Sequence, residues 1–468
     1  MKKLYLAGKF IETQEYLTIY NPYTQEKITD VSKAGKAEVD QAITAACMAK
    51  ETLKNLPAYK RYEILKQIAD RINEEKLDIA KLIAMESAKP MRYALAETQR
   101  SVDTFTIAAE ESKRLPKEYL SMDNTPTGAG KEALVKYFPV GVVSGIAPFN
   151  FPLNLVAHKV APAIACGCPL ILKPSSQTPL TALKLAEIID DTSLPKGAFS
   201  VLPCSRETGD LLVTDERIAL LSFTGSPDVG WQMKTRADKK KVLLELGGNA
   251  GVIIAEDADV NYAAERCVAG GFAYSGQVCI HTQRIYVHEK IYEEFIEIVM
   301  ALIRKLKYGD PLDMKTDISC MIDEKNAQRV KTWLNEAEEK GAKILLGGNI
   351  NANYLEPTLI TNTHSDMKIN AEEVFGPVVI IEKINDFNTG IKLINDTRFG
   401  LQAGVFTYNL NYIKQAFNQI ETGGIIINDV PTFRVDHMPY GGIKDSGLGR
   451  EGVAYAIKEM MEPKIMVF

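Results

Sequence analysis

From residue 140 to residue 244, short apolar runs alternate with amphipathic stretches, and this alternation constrains the fold more than any other feature of the chain. The strand candidates are 140–146, 170–172, 199–202, 219–223 and 242–244, with helices between them such as Leu180–Asp190 and 228–236. Strand–helix alternation of this kind gives a parallel sheet covered by helices on both faces. Ligands of such sheets bind beyond the carboxyl ends of the strands. A second alternating block runs through Gly251–Ile254, 284–287, 378–381, 404–407 and 424–428, which predicts a second α/β domain.

The first hundred residues read as mostly helical, because Ile64, Leu65, Ile68 and Ile72 recur at the spacing of one helix face. Residues 121–139 are rich in turn formers and become strand-like at 133–138, and the last residues, 464–468, are strand-like as well. Two such arms outside the main domains suggest a homo-oligomer, dimer or tetramer, built by sheet extension.

With 46% hydrophobic and 25% charged residues, the composition is that of a globular protein. A net charge of -5 argues against nucleic acid or an anionic membrane as partner. No apolar core of a signal peptide follows Lys2 and Lys3, and the longest apolar run, 160–172, is shorter than a membrane span. Seven cysteines without a repeating frame fit a reducing cytoplasm better than a disulfide scaffold. Cys166 and Cys168 lack two further ligands at suitable spacing, so they read as packing residues and no metal site is expected.

The one perfect G-x-G-x-x-G, Gly447-Leu-Gly449-Arg-Glu-Gly452, fails as a dinucleotide fingerprint. No strand runs into its first glycine and too little chain follows for a βαβ unit, so it reads as a glycine-rich loop before a C-terminal helix. Better candidates lie at strand ends. Phe223-Thr-Gly225-Ser226 opens a helix whose backbone N–H groups suit a pyrophosphate. Lys173, in Ile171-Leu-Lys173-Pro-Ser175-Ser176, ends a buried strand beside the expected crevice, although a snorkelling surface lysine has the same pattern. Cys279, in Ser275-Gly276-Gln277-Val278-Cys279, follows a glycine that permits close approach; an isolated cysteine is more often simply buried. Glu245 ends the apolar run before Leu246-Gly-Gly and is either a salt-bridged cap or a base with a raised pKa. Asn150, stiffened by Pro148 and Pro152, is either an oxyanion donor or a helix cap.

Taken in order, PFNFP, LKPS, FTGS, ELGGN, GQVC, EEVFGPV and PYGGIKDSGLGREG resemble the aldehyde dehydrogenase superfamily, over a span from Asn21-Pro22 to Gly452-Val453. The resemblance implies an α/β aldehyde dehydrogenase fold: a Rossmann-like cofactor domain (1–120 and 140–246), a catalytic domain (247–450) and a small β oligomerisation arm (121–139 and 451–468). It implies NAD(P)-dependent oxidation of an aldehyde to the acid through a thioester. Cys279 would be the nucleophile, Asn150 its oxyanion partner and Glu245 the general base. Lys173 would bind the adenosine ribose, Gly225 and Ser226 the pyrophosphate, and Glu373 the nicotinamide ribose with Phe375 beside it. The rest of the cofactor cleft would be Ile146, Ala147, Pro148, Phe149, Ser175, Ser176, Gly209, Phe223, Thr224 and Leu246.

Family members that strongly prefer NAD usually carry an acid two to three positions after the lysine. Ser175-Ser176-Gln177 has none, so both NAD and NADP are expected, with Ser176 near the 2′ position. On the substrate side, Arg434 and Arg100 are candidates for holding an anionic group, against the alternative of salt bridges with Asp436 or Asp103. His281 is expected to line the pocket. The pattern is most similar to the group oxidising lactaldehyde, glyceraldehyde 3-phosphate, sulfolactaldehyde or phosphonoacetaldehyde, with succinate semialdehyde as the alternative. A CoA-acylating enzyme would typically lack the glutamate, and an inactive binding homologue would not need Cys279, Glu245 and Asn150 together.

Overall fold

The computed structural model describes all 468 residues and contains two large sheets. The first has eight strands, with a parallel core in the order Phe199–Val201, Leu170–Lys173, Val142–Ile146, Ile218–Thr224, Lys241–Glu245. The chain winds outward from Val142–Ile146 on one side, then returns to build the other side from Ile218–Thr224. That reversal makes the crevice of a doubly wound sheet. The register aligns the strand ends: Ile146 sits opposite Lys173 and Phe223, and Thr224 opposite Glu245.

The second sheet has seven strands, and its core Thr358–Thr361, Val378–Ile384, Arg284–His288, Gly251–Ile254, Gln402–Phe406, Gly424–Ile427 is parallel. Glu373 and Cys279 lie just before the strands Val378–Ile384 and Arg284–His288. The amino end of the second sheet thus faces the carboxyl end of the first, and both contribute to one cleft.

The helices Ala58–Glu74, Met91–Ser112 and Asn154–Cys166 pack on the first sheet around a cluster of 50 buried residues. Ile64, Leu65, Ile68 and Ile72 form the buried face of Ala58–Glu74, each side chain contributing roughly 1.5–3 kcal/mol. Asn154–Cys166 is buried on all sides and stops at Gly167, whose φ of 90° lets the chain turn into the strand Leu170–Lys173. No helix is long and apolar enough to cross a membrane.

The amino terminus differs from its expected helical character. Leu4–Leu6 and Lys9–Ile11 extend the first sheet, and Tyr16–Tyr20 pairs with Lys27–Ser32. These strands are too short for a two-residue period to stand out beside the long helices that follow. A three-stranded sheet of Met461–Val467, Glu132–Pro139 and Lys117–Ser121 stands apart, its first-arriving strand lying upstream of residue 121. The glycine-rich signature forms the edge of the first sheet: Gly447–Leu448 pairs antiparallel with Leu244 and Glu245, ahead of the helix Val453–Glu459.

Candidate active site

The carboxyl ends of the first sheet open into a cavity of about 340 Å³ lined by Ile146, Ala147, Pro148, Phe149, Lys173, Ser175, Ser176, Gly209, Phe223, Thr224, Gly225 and Ser226, joined by Gln177 and Arg206. Lys173 makes no ion pair, and burial lowers its pKa. A desolvated cation without a partner calls for an anionic or hydroxyl-bearing ligand. Ser226 precedes the helix Pro227–Arg236 but does not cap it with its side chain, so the first-turn N–H groups that follow Pro227 remain available at the cavity wall. At Gly225 a Cβ would come within 2.5 Å of the Phe223 ring, which shows how closely backbone and aromatic floor approach here. These features fit a dinucleotide.

A second cavity of about 610 Å³ continues from Pro148, Phe149, Gly225 and Ser226 to Leu246, Glu373, Phe375, Asn150, Glu245 and Cys279. Phe149 and Phe375 meet edge to face across it, with ring centroids 5.9 Å apart. The half-buried Glu373 carboxyl lies against Gly247, and its Oε1 accepts from the Gly248 N–H at 3.2 Å. Burial pushes its pKa up to about 7, opposed by the Gly248 N–H and by the guanidinium charges of Arg329 and Arg398.

Cys279 ends a strained turn. Tyr274, Ser275 and Gly276 all have positive φ, of 49°, 54° and 67°. A Cβ on Gly276 would lie 2.1 Å from the Gly376 carbonyl oxygen, so only glycine fits. Asn150 does not cap the helix that follows it. Its Nδ2 donates to the Gln277 carbonyl at 3.0 Å, beside the nucleophile loop. The Cys279 Sγ lies 3.1 Å from the Tyr440 hydroxyl, and burial raises the thiol pKa to about 11. Glu245 ends its strand with Oε2 buried and unpartnered. Burial first, then the neighbouring Glu451 carboxylate, raises its pKa well above the ordinary carboxylate range, which makes its carboxylate a stronger base than an exposed one.

Beyond Cys279 lies a third cavity of about 300 Å³, lined mostly by apolar groups but with Lys89, Glu97, Arg100, Asn154, Arg434 and Tyr440 in its walls. Cys279 borders both this cavity and the 610 Å³ one. Arg434 donates to Glu451 at 2.9 Å, lies 3.3 Å from His158 and stacks on the Tyr440 ring at 3.7 Å, yet its Nε has no partner. Arg100, the other anion-site candidate, makes a salt bridge, a fork on Asp436 at 2.7 and 3.3 Å. His281 does not line the pocket. It is buried behind the nucleophile loop with Nε2 2.8 Å from the Gly271 carbonyl, and desolvation lowers its pKa to about 4. The chain turns inward after Cys279 to enter the strand Arg284–His288, which carries His281 away from the cavity.

Several polar residues at the site had no part in the motif reading. His158 and Lys159 interrupt the otherwise apolar helix Asn154–Cys166, a signal that they must find partners inside. His158 meets Asp436 at 2.7 Å, and Lys159 donates to Thr224 at 2.7 Å and Ser222 at 3.0 Å while facing Glu451 at 3.7 Å. Tyr440 lies inside the PYGGIKDSGLGREG motif, which by itself assigns it no role, and Lys89 and Glu97 carried no such signal.

Residues 10–466 match the model of the aldehyde dehydrogenase family. A 3-sulfolactaldehyde dehydrogenase of Priestia aryabhattai is 43% identical over 99% of this chain and 97% of its own length. The crystal structure of aldehyde dehydrogenase 21 from Physcomitrella patens, in complex with the reaction product succinate, superposes with a TM-score of 0.98 at 46% identity, covering 100% of this chain and 98% of that one. The glyceraldehyde-3-phosphate dehydrogenase GapN from Methanocaldococcus jannaschii, complexed with NADP, gives a TM-score of 0.93 at 38% identity, covering 97% and 100%. The chain belongs to the aldehyde dehydrogenase family. It is an enzyme that oxidises aldehydes, with NAD or NADP as cofactor, as held by its solved neighbours.

Proposed function

We propose that Cys279 oxidises a short aldehyde bearing an anionic or hydroxyl group to its carboxylic acid, and that Glu245 drives hydrolysis of the thioester. The observation that carries this reading is the position of Cys279 between the cleft with the dinucleotide features and the cavity walled by Arg434 and Arg100. Lys173 would hold the adenosine ribose, Gly225 and Ser226 the pyrophosphate, and Glu373 the nicotinamide ribose beside Phe375. When bound, the nicotinamide supplies the acceptor for the hydride.

The Cys279 thiol gives its proton to solvent water and the sulfur attacks the aldehyde carbon, placing negative charge on the former carbonyl oxygen. The Asn150 amide and the Cys279 backbone N–H would receive that charge, a contact often worth about 3–4 kcal/mol. Loss of hydride from the same carbon leaves a thioester. Glu245 takes a proton from water, whose oxygen adds to the acyl carbon, and the acid departs as the C–S bond breaks. Arg434 lines the distal cavity and its buried Nε has no partner, which supports a carboxylate, sulfonate or phosphate as the group bound there. The relatives acting on 3-sulfolactaldehyde or holding succinate favour a three- or four-carbon chain ending in such an anion. With Lys173 and Arg206 but no carboxylate in the adenosine cavity, both NAD and NADP are accepted.

The test is a panel of 3-sulfolactaldehyde, succinate semialdehyde, glyceraldehyde 3-phosphate and lactaldehyde with each cofactor, with and without CoA. A burst of NAD(P)H that is lost in Cys279→Ser, free acid as product even with CoA present, and higher kcat/KM for an anionic aldehyde than for lactaldehyde are expected. Acyl-CoA as the main product would overturn the role of Glu245, and a preference for NAD above about a thousandfold would overturn dual cofactor use. The three-stranded sheet leaves Tyr119, Leu120, Ile465, Met466, Val467 and Phe468 exposed, which supports its reading as an oligomerisation arm. Sedimentation of the intact chain tests it, and a monomer would refute it.

A further inference from the structure

Lys89 and Glu97 are both buried at the start of the helix Met91–Ser112 and form a close ion pair. Such a pair is a poor source of stability, since desolvation offsets much of its attraction, so its geometry is the better guide to its purpose. The Lys89 Nζ also donates to the Asn150 carbonyl at 2.6 Å. Glu97 Oε1 accepts from the Leu153 N–H at 2.9 Å and the Asn154 N–H at 3.1 Å. The two ends of the short loop carrying Asn150 are therefore gripped by one ion pair.

The same lysine reaches the nucleophile loop. Its ammonium lies 3.7 Å from the centre of the Phe151 ring and 4.6 Å from that of Tyr274. The Tyr274 hydroxyl in turn donates to the Ser87 carbonyl at 3.0 Å, two residues before Lys89. From this clamped loop Asn150 sends its amide to the Gln277 carbonyl, two residues before Cys279.

We infer that the Lys89–Glu97 pair is a positioning element that sets the Asn150 amide against Cys279, so that removing it slows the step that builds the oxyanion and spares cofactor binding and the thiol itself. This rests on the role proposed for Asn150. A donor of this kind works only when held within about half an ångström of the place where charge develops.

Either single neutralisation would strand a buried charge. The test is therefore the double variant Lys89→Met/Glu97→Gln, in which the glutamine keeps a carbonyl oxygen for the Leu153 and Asn154 N–H groups. Two rates are compared: the pre-steady-state NAD(P)H burst with aldehyde, and alkylation of Cys279 by iodoacetamide, which forms no carbonyl oxyanion. The expected result is a burst slowed about 30- to 100-fold, with alkylation and the Kd for NAD within about threefold of wild type. Added to Asn150→Ala, the double substitution should slow the burst by less than about threefold more. Equal losses in burst and alkylation, or the full loss repeated on Asn150→Ala, would overturn the inference. If the double variant does not fold, Lys89→Arg keeps the charge in a bulkier head. It should slow the burst about tenfold with alkylation unchanged, and a wild-type burst would overturn the inference. The wild-type burst and its loss in Cys279→Ser test the underlying reaction separately.

Discussion

If Glu373 holds the nicotinamide ribose, the affinity for cofactor must follow the ionisation of its carboxyl. Burial raises that carboxyl to about 7, against the Gly248 N–H and the charges of Arg329 and Arg398. The ribose hydroxyls are donors and need a carboxylate as acceptor, so the bound form favours the ionised group and binding releases a proton. The sign follows: affinity rises with pH up to about 7 and is level above it. At pH 6 about one carboxyl in ten is ionised, so affinity should be about tenfold weaker than at pH 8, or about 1.4 kcal/mol. At pH 5.5 the loss should be about 30-fold. Calorimetric titration with NAD between pH 5.5 and 8.5 measures this; NADP is less suitable because its phosphomonoester titrates near pH 6, roughly where phosphate second ionisations fall. ADP, which reaches only the adenosine half of the cleft, should show little dependence. Glu373→Gln should bind NAD at the weak level throughout and lose the slope. A flat profile for wild type, or the same slope in Glu373→Gln, would refute the assignment.

Gly276→Ala places a methyl 2.1 Å from the Gly376 carbonyl oxygen in a residue with φ of 67°. Since no side chain can rotate away, the nucleophile loop must shift, and kcat should fall by about 100-fold or more while NAD affinity stays within about threefold, measured by steady-state kinetics and calorimetry. His281 is held neutral by burial, with its pKa lowered to about 4 from 6.5. The unfolded chain then binds more protons in that window, so stability present above pH 6.5 is lost as pH falls toward 4, by about 3 kcal/mol in all. Urea midpoints should drop on acidification in the wild type and drop less in His281→Gln; equal acid sensitivity would remove this histidine from the cause.

The strand ends that carry Lys173, Thr224 and Glu245 are legible in the sequence because a buried parallel strand is a nearly continuous apolar run, and the polar residue that closes the run marks the strand end. Register then does the rest, bringing those ends level without any further signal. Local patterns fail where a residue's neighbours come from elsewhere in the chain. Cys279 and His281 are two residues apart and look alike as candidates, yet one borders two cavities and the other is turned into the packing against Gly271. Arg100 and Arg434 are likewise equivalent as isolated arginines. The structure separates them: Arg100 spends two donors on Asp436, whereas Arg434 keeps Nε unpartnered. His158 and Lys159 stand between these cases, because two polar residues in a helix buried on every side announce that partners exist without naming them. Those partners, Asp436 and Glu451, belong to the same C-terminal stretch whose glycines imitate a dinucleotide fingerprint. Gly447 is needed there because a Cβ would lie 2.5 Å from the Leu244 carbonyl oxygen where that stretch pairs with Leu244 and Glu245, so the pairing that demands the first glycine of the false motif also covers Glu245 at the edge of the first sheet.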